Sequence, residues 1–281
     1  MKKSKFTIVF FLIFAACLNT FAQNQPAFEV KKTGQGSKSI IFIPGFACSG
    51  EVWNDTKALF EKDYTCYTLT MAGFAGVPPQ ETITFKYWEN SIATYIKENK
   101  INKPIIIGHS MGGGLAMALA ADYPDLIDKI VVVDALPCLA AVMNPTFQSV
   151  EKPDCSAMVN QISAATEEQF YQIQKMSVPR MVANSSKGDL IVDWSVKSDR
   201  KTFGEMYCDF SNTDLREKIA AVKCPALILL QAHFKTLKSS IEEQYKNLKT
   251  ANLQYANQGL HFIMYDDQEW YFNQLNNFIT K

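Results

Sequence analysis

The chain is short of the residues that build metal centres: among its 281 residues there are three histidines, no Cys-x-x-Cys pair and no Cys/His cluster. Structural and catalytic zinc sites are assembled from such groupings, so neither a metal nor a cofactor is expected. A Lys/Arg-rich tract is also missing, and 28 basic side chains balance 28 acidic ones. Without a basic footprint, nucleic acid and anionic membrane surfaces are excluded as partners, and a small-molecule substrate fits better. There is no internal repeat and no low-complexity tract. Oligomeric state is left open by the sequence.

What is present belongs to a globular protein. Hydrophobic residues make up 47% and charged residues 20%, and 281 residues suffice for one large domain with its own core. Lys2, Lys3 and Lys5 precede an apolar run over 6–17 and the small-residue ending Thr20-Phe21-Ala22. That order predicts a secretory signal peptide over 1–22, cleaved after Ala22, and hence an exported protein, periplasmic or secreted. An uncleaved anchor is disfavoured because the run is shorter than the roughly 20 residues a bilayer requires. A lipoprotein reading, with Cys17 of Phe14-Ala15-Ala16-Cys17 as the acylated residue, is the other alternative. Loss of three lysines would leave 25 basic against 28 acidic side chains. Cys48, Cys66, Cys138, Cys155, Cys208 and Cys224 remain beyond the signal. An oxidising compartment permits disulfides among them, but spacing selects no pairing, and buried free thiols are an equal reading.

Short β-branched runs at 39–43, 64–70, 104–108, 130–134, 226–231 and 252–255 alternate with helical patterns at 52–60, 85–97, 111–123, 241–248 and 268–278. Such alternation predicts an α/β fold, a mostly parallel sheet flanked by crossover helices. The alternation fails over 137–212, which is read as a helical cap inserted after the strand ending at Asp134. A cap there would overlie the carboxyl ends of the strands, where open α/β sheets bind ligands. The two parts of the core are then 23–136 and 213–281.

One motif carries chemistry. Ile105-Ile106-Ile107 runs into Gly108-His109-Ser110-Met111-Gly112, and a small-residue helix follows at once. A Gly-x-Ser-x-Gly turn between strand and helix projects its serine from the sheet edge, and the helix N-terminus favours the negative charge that develops there.

With Phe42-Ile43-Pro44-Gly45-Phe46, Ala72-Gly73-Phe74-Ala75-Gly76, Asp214-Leu215-Arg216 and Gly259-Leu260-His261-Phe262, these landmarks resemble those of α/β-hydrolases of the esterase, haloperoxidase and aminopeptidase-like type. They stand in family order over nearly the whole chain after the signal. The resemblance implies Ser110 as nucleophile, His261 as general base, and the backbone N–H groups of Phe46 and Met111 as oxyanion donors, with Pro44 in place of the usual His. His109 reads as a packing residue and His233 as structural. In most relatives the triad acid follows the strand at 226–231, yet Ala232-His233-Phe234-Lys235-Thr236 contains no carboxylate. Some members, including a subset of haloalkane dehalogenases and the pancreatic-type lipases, take the acid from the end of the preceding strand, which implies Asp134. Glu242 and Glu243 are the substitutes. Dehalogenases use an aspartate nucleophile, so Ser110 argues for acyl transfer instead.

Phe46, Cys48, Met111, Leu136, Met206 and Tyr207 are expected to shape the acyl pocket, and their apolar character favours esters of small or medium uncharged acyl groups. Peptide or amide hydrolysis of the aminopeptidase-like kind is the alternative reaction. A non-catalytic binding protein on the same scaffold is the alternative from another class.

Overall fold

The computed structural model describes residues 26–280, so the signal-peptide and Cys17 readings lie outside the described residues. Seven strands form one sheet: β1 (Phe28–Thr33), β2 (Lys38–Ile43), β3 (Tyr64–Met71), β4 (Ile105–His109), β5 (Lys129–Val133), β6 (Ala226–Leu230) and β7 (Ala251–Tyr255). Their spatial order is β1-β3-β2-β4-β5-β6-β7, all parallel except for β1, which pairs antiparallel with β3. The fold is therefore the expected α/β-hydrolase arrangement, a mostly parallel sheet with flanking helices. β1 was not among the expected strands. Its sequence, FEVKKT, sits at the sheet edge with most side chains outside the core, so it carries no buried apolar run.

The helices are α1 (Asn54–Ala58), α2 (Phe85–Glu98), α3 (Met111–Asp122), α4 (Ser156–Ala164), α5 (Glu167–Ser177), α6 (Ser185–Val196), α7 (Arg200–Ser211), α8 (Lys238–Tyr245), α9 (Ile263–Asp266) and α10 (Gln268–Ile279). Alternation along the strands divides the core. Ile41, Ile43 and Ile106 face α2, α3 and α8, whereas Ile40, Phe42, Ile105 and Ile107 face the layer containing α10. In α2, Phe85, Trp88, Ile92 and Ile96 recur at helical spacing to form the buried face, and Thr84 caps the start by accepting the Tyr87 N–H. α3 has no polar face: every residue from Met111 to Ala121 is buried, and its small side chains let it lie close against the sheet.

The segment between β5 and β6 is mostly helical, comprising α4 to α7. Cys155 and Cys208 form a disulfide that joins the start of α4 to α7. Cys48, Cys66, Cys138 and Cys224 are buried and form no disulfide among the described residues. Side chains from α5, α6 and α7 line the same cavity as residues at the ends of β4 and β5, so the helical segment covers the carboxyl edge of the sheet.

Candidate active site

The turn between β4 and α3 is closed by contacts that exclude side chains. A Cβ on Gly108 would lie 2.1 Å from the Gly112 carbonyl oxygen, and one on Gly112 would lie 2.3 Å from the Ile43 carbonyl oxygen. The turn places Ser110 at φ 53° and ψ −122°, a strained conformation for a residue with a side chain. Its backbone is fixed on both sides: Ser110 N donates to Val133 O at 2.9 Å, and Ser110 O accepts from Gly113 N at 2.8 Å. Ser110 reaches a cavity of about 510 Å³.

Asp134 and His261 meet at that cavity. The Asp134 side chain is wholly buried just past β5, again at positive φ, 46°. His261 Nδ1 donates to Asp134 Oδ2 at 2.6 Å, which fixes the tautomer and leaves Nε2 as the acceptor. The carboxylate has further donors that the sequence did not reveal. Gln231, the first residue after β6, gives Asp134 Oδ1 its backbone N–H at 2.7 Å and Oδ2 its side-chain amide at 2.9 Å. Ser110 and His261 both line the cavity, and among the described residues no hydrogen bond joins their side chains.

His109 does more than pack. Its Nε2–H lies 3.0 Å from the His261 carbonyl oxygen, and the two rings are 4.6 Å apart, so it holds the loop that carries His261. Burial pushes its pKa well below the usual histidine range, with the neighbouring His261 adding to the effect, and it stays neutral. The buried Nδ1 has no partner. The sequence signal for this role was its place inside the elbow.

Phe46 and Met111 flank Ser110 from the β2 loop and the α3 N-terminus. Among the described residues neither backbone N–H has an intramolecular acceptor, so both are available to a ligand. Phe46 stacks edge-on against Phe74, Phe203 and Tyr207, with ring centroids 5.0, 4.5 and 5.6 Å away. Cys48, Leu136 and Tyr207 line the cavity. Burial drives the Cys48 thiol up to about 12, so it remains protonated. Met206 departs from expectation: it is fully buried in the core and does not line the cavity, because one step along α7 from Tyr207 turns a side chain by about 100°. Glu242 and Glu243 lie on α8, paired with Lys238 and Lys246 respectively, and neither lines the cavity. His233 lies in the turn after β6, with its carbonyl accepting from Thr236.

Residues 38–154 match the family profile described as alpha/beta hydrolase fold. The chain is 22% identical over 196 residues to the pimeloyl-[acyl-carrier protein] methyl ester esterase of Wigglesworthia glossinidia brevipalpis, covering 69% of this chain and 74% of that protein. It is 24% identical over 203 residues to the protein of the same name from Vibrio atlanticus, covering 70% and 76%. Among solved structures, the enol-lactonase from Burkholderia xenovorans LB400 superposes with a TM-score of 0.75 at 16% identity, over 90% of this chain and 96% of that one. Sheet order, the matched segment and the order of the landmarks agree: the chain has the α/β-hydrolase fold.

Proposed function

We propose that the protein is a serine hydrolase that cleaves carboxylic esters through an acyl-serine intermediate. The observation that carries this reading is the 2.6 Å bond from His261 to a buried Asp134, in the cavity where Ser110 is held in a strained turn. His261 Nε2 takes the proton from Ser110 Oγ as the oxygen attacks the ester carbonyl. The resulting oxyanion accepts hydrogen bonds from the Phe46 and Met111 N–H groups. His261 then gives its proton to the leaving oxygen, the alcohol departs, and the acyl group remains on Ser110. Water enters, loses a proton to His261 and attacks the acyl carbon; Ser110 Oγ recovers the proton as the carboxylic acid leaves. Resemblance to a methyl ester esterase and an enol-lactonase supports an ester as the bond broken. The apolar wall of Phe46, Leu136, Phe203 and Tyr207 suits an uncharged acyl group.

Ser110→Ala is expected to lose both hydrolysis of short p-nitrophenyl esters and covalent labelling by a fluorophosphonate, with the melting temperature retained. Labelling of the variant at the wild-type rate would remove Ser110 from the mechanism.

We also propose export from the cytoplasm. The Cys155–Cys208 bond supports it, because such a bond persists in oxidising compartments.

A further inference from the structure

The cavity is bordered by Phe46 on one side and His261 on another. On the side of Phe46 it is walled by aromatic rings; on the side of His261 it is lined by Phe262 as well, and there it holds a cation with no partner among the described residues. Arg180 ends the turn Val178–Arg180 between α5 and α6 and, itself solvent-exposed, borders the cavity. Among the described residues it makes no ion pair and no side-chain hydrogen bond. The only carboxylate lining the cavity, Asp134, is engaged by His261 and Gln231. Asp266, on the adjoining segment, is likewise engaged: it accepts from the N–H groups of Ala183, Asn184 and Leu260.

The position of Arg180 is fixed relative to the base. Phe262 N donates to Met181 O at 3.1 Å, so the residue after Arg180 is bonded to the residue after His261. Two further polar side chains line the cavity. Gln174 and Ser195 are 8% and 5% exposed, line the cavity and, among the described residues, make no side-chain hydrogen bond. Buried polar groups without partners are costly, and groups that face a cavity find partners in what enters it.

We infer that Arg180, on the cavity that Gln174 and Ser195 also line, selects esters whose alcohol portion carries an anionic oxygen group such as a carboxylate. This rests on the serine-hydrolase reading. His261 must hand its proton to the leaving oxygen, so the alcohol lies on the His261 side, where Arg180 stands. The acyl portion is left to the Phe46 side. A guanidinium presents a planar fork that matches a carboxylate with two parallel hydrogen bonds.

The test uses butyryl esters of three alcohols of equal length: 3-hydroxypropanoate, its neutral amide, and choline. A second set keeps a neutral alcohol and compares butyryl with hemisuccinyl. Wild type is expected to favour the carboxylate alcohol over the amide by about tenfold in kcat/KM, the scale of one charge-assisted hydrogen bond in a half-open site. Arg180→Gln should bring that ratio to about one, and Arg180→Glu should shift preference to the choline ester. Equal rates in wild type, an unchanged ratio in Arg180→Gln, or a preference confined to the hemisuccinyl set would each overturn the inference. Calorimetry with Ser110→Ala protein reads the same preference as a ratio of Kd values without turnover. A carboxylate preference there, alongside undiminished hydrolysis by Ser110→Ala, would sustain Arg180 while sinking the serine mechanism; no preference there would sink Arg180 alone.

Discussion

Asp134→Asn isolates the role of the carboxylate with almost no change of volume. Asp134 Oδ1 accepts from the Gln231 backbone N–H, which cannot turn away, so the amide oxygen of the variant must take that position. The amide nitrogen then replaces Oδ2, opposite His261 Nδ1 and the Gln231 side chain. Gln231 can rotate its amide and offer its oxygen instead, which keeps the hydrogen bonds satisfied and the protein folded. His261 has no such freedom: facing a donor, Nδ1 becomes the acceptor and the proton moves to Nε2. In that tautomer the imidazole cannot accept the proton of Ser110, and the amide cannot stabilise an imidazolium. The loss in kcat is expected to be on the order of 10³ to 10⁴, about 4 to 5.5 kcal/mol of transition-state stabilisation, whereas the melting temperature should fall by only a few degrees. The assay is kcat/KM on p-nitrophenyl butyrate beside a Glu242→Gln/Glu243→Gln control, which should be nearly silent because both side chains lie on α8 away from the cavity. An Asp134→Asn enzyme within tenfold of wild type would refute the tautomer argument and leave a Ser–His pair acting without its acid.

Three other expectations follow from other parts of the molecule. The Cys155–Cys208 bond closes a sequence separation of 53, so reduction, or Cys155→Ser/Cys208→Ser, should cost up to about 4 kcal/mol; thermal unfolding with and without reductant measures it, and an unmoved midpoint would contradict it. Although burial opposes ionisation, hydrogen bonds from Lys218 and Lys86 hold Asp122 down at about 2. Its folded value lies below the ordinary value near 4, so its stabilisation is present above pH ~4 and lost as pH falls toward 2. Asp122→Asn should flatten stability against pH in that window, and denaturant titrations at several acid pH values would show whether it does. Protein recovered from its native host should begin near Gln23 outside the cytoplasm; an intact Met1 on cytoplasmic protein would defeat the export reading, and a lipid on Cys17 would redirect it to a tethered form.

The sequence was readable where local chemistry dictates geometry. β4 is a run of isoleucines ending in a glycine-flanked turn, and nothing but a buried strand and a tight bend accommodates that pattern. β1 was unreadable for the opposite reason: an edge strand with four polar side chains in FEVKKT takes its shape from pairing with β3, a long-range contact without local signal. The same division holds at the site. Ser110 announces itself through its turn, but Gln231 looks like any polar residue after a strand, and only the tertiary structure shows both of its donors aimed at Asp134. Arg180 likewise has no motif around it, since its significance lies in having no partner. Met206 and Tyr207 could not be told apart in advance because helix rotation, not composition, decides which of two neighbours faces a cavity.

The sheet geometry supports the proposal that the acid sits after β5, where the resemblance to most α/β-hydrolases implies a place after β6. The two strands are parallel neighbours, with Val133 opposite Leu229, and Asp134 N donates to Leu229 O at 2.7 Å. Parallel neighbours lie about 4.8 Å apart, so a side chain leaving either strand end can reach the same imidazole across the carboxyl edge. Moving the carboxylate one strand over leaves the original position to be filled, and here the residue at the end of β6 is Gln231. A second carboxylate there would stand beside Asp134 and compete for the His261 proton. Glutamine instead donates, stabilising the charge that must persist while His261 alternates between neutral and protonated forms. Asp134, Gln231 and His261 are joined by hydrogen bonds across two strand ends and a loop, and under the proposed mechanism they act as a unit. It follows that Gln231→Glu should harm catalysis more than Gln231→Leu: the leucine removes one donor and leaves the backbone N–H in place, while the glutamate sets a like charge against the acid that His261 depends on.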